Sequence, residues 1–493
     1  MMHALLIAET TPKLLRLSGL ARSIATDLHW KAVTTGAFSV QIDRFDVRTG
    51  RPRIKMTNRL QLNRIVTMAA DADTVFVATD TTPRGDLLAA DLAEHLLSRY
   101  PERHIKRLRI DRLTAESFRS AYAVSDHINV GSAESLRVGR IINFLVGSRV
   151  QQLTGKPSGR AVLPMLARLV SASRPGQSRI RVRLTDGTCL TSQFGPTERV
   201  AQVFAQVRES IPALDIKRSE TILSPPQRFS LARLQLEGCR IAAIRSSEVA
   251  RQATLLYEAG LIARNSTIEP QYIDAAHEIL RSFDGVPSID NSPTEPAIVP
   301  TDIERLPSTV ERHARDVYRI VWATTVASFA KPMRSHVEQG RFEIDRLRFD
   351  TTAVTPLEPG FDAVAFGLLY RRGPIGTVRQ VESAQMFGGG PFETELLAML
   401  SPQLYSPAHV IKAAHNLAYL GFDGPEVVLL EHGNTTFDQL ICQAPQLLDV
   451  DLFDSIERFL ASSFDSRELL EPWSRWAGSV TDAVRKKRVA YLR

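Results

Sequence analysis

The stretch that decides the reading is Thr74–Leu97, TVFVATDTTPRGDLLAADLAEHLL. Thr74–Ala78 is a short apolar, β-branched run with strand character. Asp80 stands where that strand ends. Thr81-Thr82-Pro83-Arg84-Gly85 carries turn chemistry, because Pro presets φ and Gly tolerates positive φ. From Asp86 onward Leu87, Leu88, Leu92, Leu96 and Leu97 recur at helical spacing, and Asp86 is placed to cap that helix. Strand, terminal acid, tight turn and helix form one half of a ligand site in an α/β sheet.

A second unit of the same kind opens the chain. Ala4–Ala8 is an apolar strand ending in Glu9, Thr10-Thr11-Pro12 turns the chain, and Lys13 follows four residues after Glu9. Two strands that each end in a carboxylate, one with a lysine beside it, suggest a Mg²⁺ or phosphate site at one sheet edge. Mg²⁺ takes oxygen ligands and commonly uses only one or two carboxylates.

The chain has 493 residues, which suggests about three domains. Its formal net charge is +7, a surface that tolerates polyanions. The three cysteines, Cys189, Cys239 and Cys442, lie far apart with no CxxC pair, which argues against zinc and against a disulfide framework. The N-terminal apolar stretch is short and broken by Glu9, unlike a signal peptide, and no run approaches the ~20 apolar residues of a membrane span. The expectation is a soluble cytoplasmic protein with no membrane association.

Farther on, Arg103–Thr114 is a basic strand region, and a helix over Ala115–Ala123 closes a first domain near residue 125. A helix between Gly131 and Gly147 carries Arg137 and Arg140. In Lys156-Pro157-Ser158-Gly159-Arg160, Gly159 allows close backbone approach and Arg160 is placed to grip a phosphate. Ile180–Gln193 reads as a β-hairpin around Asp186-Gly187 with a basic face. Leu223–Phe229 is a Pro-rich joint. Two helices over Ser230–Leu256, the second capped by Ser246, and a short strand after Gly260 give a winged-helix-like order. Helices follow over Pro270–Phe283 and Ser308–Phe329. Residues 340–380 alternate as strands, Gly388-Gly389-Gly390 is a flexible connection, and 392–493 is mostly helical, with Tyr405-Ser406 opening one helix, Val450–Ala461 forming another and a basic run over Arg485–Arg488 as a solvated helix end.

These segments, in this order, resemble the type IA DNA topoisomerases. Glu9 and Lys13 match the Glu and Lys of the family's N-terminal strand. VATDTTPRGD is similar to A-T-D-x-D-x-E-G-E, and PSGRAVLPML to S-x-G-R-V-Q-T-P-T-L. PPQRFSLARLQLEG resembles the start of the tyrosine-bearing domain, LLYEAGLI its L-Y-E-x-G-L-I, and EPAIVPTDI its H-E-A-I-R-P-T. YSPAHVIKAAHNLAYLG resembles Y-(S/T)-E-A-x-L-(V/I)-x-x-(L/M)-E-x-x-G. The resemblance implies a multidomain α/β and α protein shaped as a torus. A Toprim domain with a Rossmann-like parallel sheet would occupy 1–125. A split helical domain would take 126–178 and 392–493, a β-rich arch 179–222 and 330–391, and a winged-helix-like domain, which carries the nucleophile in the family, 223–329.

The departures lie in the chemistry. The family cleaves one strand through a Tyr hydroxyl that attacks phosphorus. Here Arg264 follows Gly260-Leu261-Ile262-Ala263 at that position, and an arginine has no nucleophilic oxygen. The nearest tyrosines are Tyr257, in the L-Y-E segment and so a packing residue, and Tyr272, on the next helix. The Asp-x-Asp-x-Glu acids become Asp80, Thr82 and Arg84, which leaves Glu9 and Asp80 as a weak or absent Mg²⁺ site. Glu295 and Val299 replace the family's His and Arg. Glu9, Lys13, Asp80 and Arg160 remain of the catalytic set. Arg84, Arg137, Arg140, Arg160 and Arg264 are the candidate DNA contacts, with Arg84 and Arg264 standing in for the missing metal charge. The implied function is binding of single-stranded DNA without cleavage. The alternatives are an active, ATP-independent enzyme with a relocated nucleophile, and a scaffold that partners an active topoisomerase subunit.

Overall fold

The computed structural model describes residues 2–46, 51–128, 133–173, 177–185, 189–194, 210–266, 268–288, 296–344, 347–369, 378–400 and 406–461. The chain opens with β1 (Met2–Ala8), α1 (Thr11–Ile24), β2 (Leu28–Thr34), the ribbon strands β3 (Val40–Asp46) and β4 (Arg51–Met56), and α2 (Arg59–Ala70). Then come β5 (Thr74–Val77), α3 (Pro83–Leu97), β6 (His104–Arg107), α4 (Ala115–Ala123) and β7 (Asp126–His127). These build a five-stranded sheet in the order β2-β1-β5-β6-β7. The first four strands are parallel; β7 pairs antiparallel with β6 and carries the sheet past residue 125.

The strands are apolar on both faces because helices cover both faces. Leu6 and Phe76 face a core with Leu17 and Ala21 of α1 and Phe118 of α4. Leu5, Ile7, Val75 and Val77 face α2 through Leu62 and Ile65, and α3 through Leu92 and Leu96. Helix α3 begins at Pro83, not at Asp86, because the Thr82 hydroxyl accepts from the Gly85 amide and caps it. Asp86 sits within the first turn and pairs instead with Arg107 and Arg109.

The next helix, α5 (Glu134–Thr154), runs well beyond Gly147 and ends at Gly155, whose φ of 81° needs the left-handed region. After α6 (Val162–Ala172), strands β8 (Ser178–Leu184) and β9 (Cys189–Phe194) pair as the expected hairpin; its Asp186-Gly187 turn lies outside the described residues. Each arginine of its basic face has a partner, although Arg183 stays exposed. Arg179 pairs with Glu395, Arg181 stacks on Phe392, and Arg183 pairs with Glu382. Strand β10 (Ser210–Leu223) then leads into α7 (Leu231–Ala242), α8 (Ser246–Glu258), β11 (Ile262–Ser266), α9 (Pro270–Ser282), β12 (Ala297–Pro300) and α10 (Arg312–Ala327). Helix α10 is shorter than the sequence suggests, since Pro307–Thr309 is a separate 3₁₀ turn. Ser246 does not cap α8: its hydroxyl and amide both bond the buried Glu393 carboxylate.

Strands β13 (Met333–Ile344), β14 (Leu347–Pro356) and β15 (Val378–Phe387) complete a six-stranded sheet, β14-β13-β10-β15-β8-β9; the helix α11 (Asp362–Leu369) interrupts the expected all-strand region. The closing elements are α12 (Glu393–Met399), α13 (Pro407–Asn416), the hairpin β16 (Leu420–Asp423) and β17 (Glu426–Leu429), α14 (Glu431–Gln443) and α15 (Val450–Ala461). That hairpin breaks the expected helical run. Tyr405 and Arg485–Arg488 lie outside the described residues. The Gly388 and Gly390 amides both donate to the buried Glu426 carboxylate, so this glycine connection is tied down rather than loose. No helix among the described residues is long and apolar enough to cross a membrane.

Candidate functional site

Parallel pairing places the two carboxylates side by side. Ile7 is in register with Val77, so the residues after β1 and β5 emerge at one edge of the sheet. The Asp80 amide donates to Glu9 Oε1 at 2.5 Å. Lys13 lies on the first turn of α1, and Glu9 just before the helix, on the far side of its N-cap Thr10. Its Nζ is 3.0 Å from Glu9 Oε2 and 2.7 Å from Asp80 Oδ1. It is 2% exposed, a charge that can be held there only because two carboxylates meet it.

The turn itself is braced by Arg107, a residue the sequence reading passed over within its basic strand. Its guanidinium donates to the carbonyls of Val77, Thr79, Leu108 and Asp80. Gly85 is required by close approach: a Cβ there would lie 2.0 Å from the Asp80 carbonyl oxygen.

The fourth member comes from a distant part of the chain. Strand β11 pairs with β12, and its register shifts between Ala263 and Ser266. A bulge of this kind re-aims a side chain. Arg264 therefore reaches Asp80 Oδ2 at 3.0 Å, while its other nitrogen meets the Thr254 hydroxyl at 3.0 Å. Its guanidinium lies 4.4 Å from the centre of the Tyr257 ring. The Arg264 amide also donates to the Asp111 carbonyl, and Thr10 Oγ1 donates to Glu258 at 2.6 Å, so β11 and α8 close over the sheet edge.

Each of the four carboxylate oxygens of Glu9 and Asp80 thus receives a donor from the protein. Burial opposes charge on both Lys13 and Asp80, but the opposing charges win. Lys13 is held above the ordinary lysine range by Tyr257, Asp80 and Glu9. Asp80 is held below the ordinary carboxylate range by Lys13, Arg264 and Arg107.

The tyrosines nearby are turned away. Tyr257 is 2% exposed and its hydroxyl donates to the Ile110 carbonyl; burial pushes its pKa up to about 12. Tyr272 donates to the Pro300 carbonyl, and burial raises its pKa as well. Val299 is buried in β12, and Glu295 lies outside the described residues.

The remaining candidates separate into two groups. Arg84 is exposed on the first turn of α3. His409, on α13, is one the sequence reading missed; burial lowers its pKa, and so do the positive charges of Arg84, Lys412 and Arg264. Only folding brings it to this site: nothing in its local sequence marks it. The other arginines lie within the helical framework. Arg137 and Arg140 of α5 pair with the buried Asp91 of α3, and Arg137 also pairs with Glu94. Arg160 is 3% exposed; its amide donates to Asn143 and its guanidinium to the Gly139 carbonyl.

No family model matches the sequence. The chain is 23% identical over 315 residues to DNA topoisomerase 1 of Methanothermobacter thermautotrophicus. That alignment covers 55% of this chain and 43% of the relative, so less than half of the relative's length is represented. The fold is similar to that of full-length topoisomerase I from Thermotoga maritima, with a TM-score of 0.68 at 14% identity, over 97% of this chain and 90% of that one. The chain therefore has the fold of a full-length topoisomerase I, and over about half of its length its sequence is similar to a DNA topoisomerase 1.

Proposed function

We propose that this protein holds single-stranded DNA in the cleft over the Glu9–Asp80 edge and does not cut it. The observation that carries this reading is that each of the four carboxylate oxygens already receives a donor, from the Asp80 N–H, Lys13 or Arg264. The Lys13 ammonium occupies the place between the carboxylates that a bridging cation would need. Mg²⁺ requires near-octahedral oxygen ligands at about 2.0–2.1 Å. Two carboxylates already neutralised by two cations do not fit it.

Cleavage would also need an activated hydroxyl, from a lowered pKa or an adjacent base. The Tyr257 phenol is shifted the opposite way and its proton is committed to a carbonyl. Arg84, Arg264 and Lys412 supply the positive lining, with His409 among them held toward its neutral form, and a backbone phosphate exchanges with Asp80 for the Arg264 guanidinium. Arg137, Arg140 and Arg160 hold α3, α5 and the loop before α6 in place. Recognition through backbone charge is largely independent of sequence.

The test is fluorescence anisotropy of a labelled oligo-dT against salt, in EDTA and in Mg²⁺. Three engaged cations predict a log–log salt slope of about −2, from ~0.7 per phosphate on single strands, with affinity in Mg²⁺ no higher than in EDTA, since Mg²⁺ competes for the phosphates. Absence of binding at low salt rejects the proposal.

A further inference from the structure

We propose that the outer face of the β3–β4 ribbon is a second nucleic-acid surface, one that takes duplex DNA along its phosphate backbone. The ribbon is a two-stranded antiparallel sheet of its own, set apart from the five-stranded sheet. Its inner face is anchored: Phe45 is buried against Ile141 and Leu145 of α5, with Ile42 and Phe144 packed beside them. Its outer face has no such cover. Gln41, Arg44 and Asp46 of β3 stand opposite Lys55, Arg53 and Arg51 of β4, and all six are exposed.

Two features point to an anionic partner. First, Arg44 and Arg53 are directly opposite one another. Like charges in that position destabilise a strand pair unless an anion relieves them. The nearby acids compensate this pair only in part: Asp43, in the bulge between Ile42 and Arg44, reaches Arg53 at 3.7 Å, with Arg53 77% exposed, and Asp46 stands opposite Arg51. Second, the cations are laid out in rows. Lys55, the Arg44/Arg53 pair and Arg51 lie successively two residues apart, which is about 7 Å per step. Duplex DNA carries a backbone charge about every 1.7 Å of axis, so each row meets several phosphates.

This goes beyond the cleft reading and stands if that reading fails, because none of these residues touches Glu9, Lys13, Asp80 or Arg264 in the described contacts.

The experiment measures binding of a blunt 20-bp duplex and of oligo-dT to the full chain across a salt series. The double variant Arg44→Ala/Arg53→Ala is the test, and Arg44→Lys/Arg53→Lys the charge-conserving control, with circular dichroism melts checking that each folds. Removal of two phosphate contacts predicts a duplex salt slope shallower by about 1.8 and an affinity loss of roughly tenfold near 0.1 M salt. The lysine variant keeps most of the affinity, and oligo-dT binding changes less than about twofold. Unchanged duplex affinity and slope overturn the proposal. So does an equal loss on both probes, which would make the ribbon part of the single-strand path or a generic charge.

Discussion

Replacing Lys13 by Met tests the electrostatics of the site directly. Met keeps the unbranched stem but removes the ammonium that stands between Glu9 and Asp80. Two carboxylates, 21% and 28% exposed, are then left facing one another. Breaking a buried ion pair by removing one partner costs about 3–5 kcal/mol. Water reaches these carboxylates in part, so the lower end, about 3 kcal/mol, is expected. The same substitution opens the position a cation could bridge. If the variant binds Mg²⁺ with a Kd of about 1 mM, 10 mM Mg²⁺ restores about 1.4 kcal/mol.

The pH dependence has a definite sign. In the wild type Asp80 is held below the ordinary carboxylate range, so its stabilisation is present above that range and is lost as pH falls through the depressed value. Lys13, held above the ordinary lysine range, contributes below that range and is lost as pH rises through the raised value. In Lys13→Met, burial, the largest influence on Asp80, acts with one fewer cation against it. The deficit of the variant therefore shrinks on acidification toward pH 4. Urea unfolding at pH 4 and pH 7, with and without Mg²⁺, reads all three effects. A loss under about 1 kcal/mol, or equal stabilisation of wild type and variant by Mg²⁺, refutes the reasoning.

Three further outcomes follow from the same geometry. Gly85→Ala forces its new methyl onto the Asp80 carbonyl, 2.0 Å away, and should cost at least about 2 kcal/mol in urea unfolding while weakening oligo-dT binding. Arg140→Ala strips the buried Asp91 of its closest partner; a loss of about 2–3 kcal/mol is expected, and the double change with Asp91→Asn should recover part of it in a mutant cycle. Tyr257→Phe removes one hydrogen bond to Ile110 and should cost about 1 kcal/mol, with oligo-dT affinity unchanged because the hydroxyl does not face the cleft.

The nearness of Lys13 to Glu9 was legible in the sequence, because only the short Thr10-Thr11-Pro12 turn separates them. So were β5 and its acid, since apolar β-branched runs ending in turn chemistry are short-range signals. Arg264 was placed at this site only by the resemblance to a known family; its ion pair with Asp80 was not legible locally, because it joins residues 184 apart in sequence and depends on a bulge in β11. His409 was invisible for the same reason. Helix α5 outran its expected end because Val150 continues the buried face of Val138, Ile142 and Val146, and the positive φ that ends the helix falls at Gly155 rather than at Gly147. The β3–β4 ribbon carries cations along its outer face, and RPRIKM lacks the apolar alternation by which strands are recognised. The arginines read as open DNA contacts on α5 are paired with Asp91, an acid whose inward direction on α3 only packing reveals.

The most direct test of the central claim is trapping of a covalent DNA–protein adduct. A 5′-labelled single strand is incubated with the protein in Mg²⁺ and in EDTA, denatured, and resolved by gel, with anisotropy run on the same mixtures. The account predicts binding in both buffers and no adduct in either. A Mg²⁺-dependent adduct on any tyrosine of the chain would contradict it.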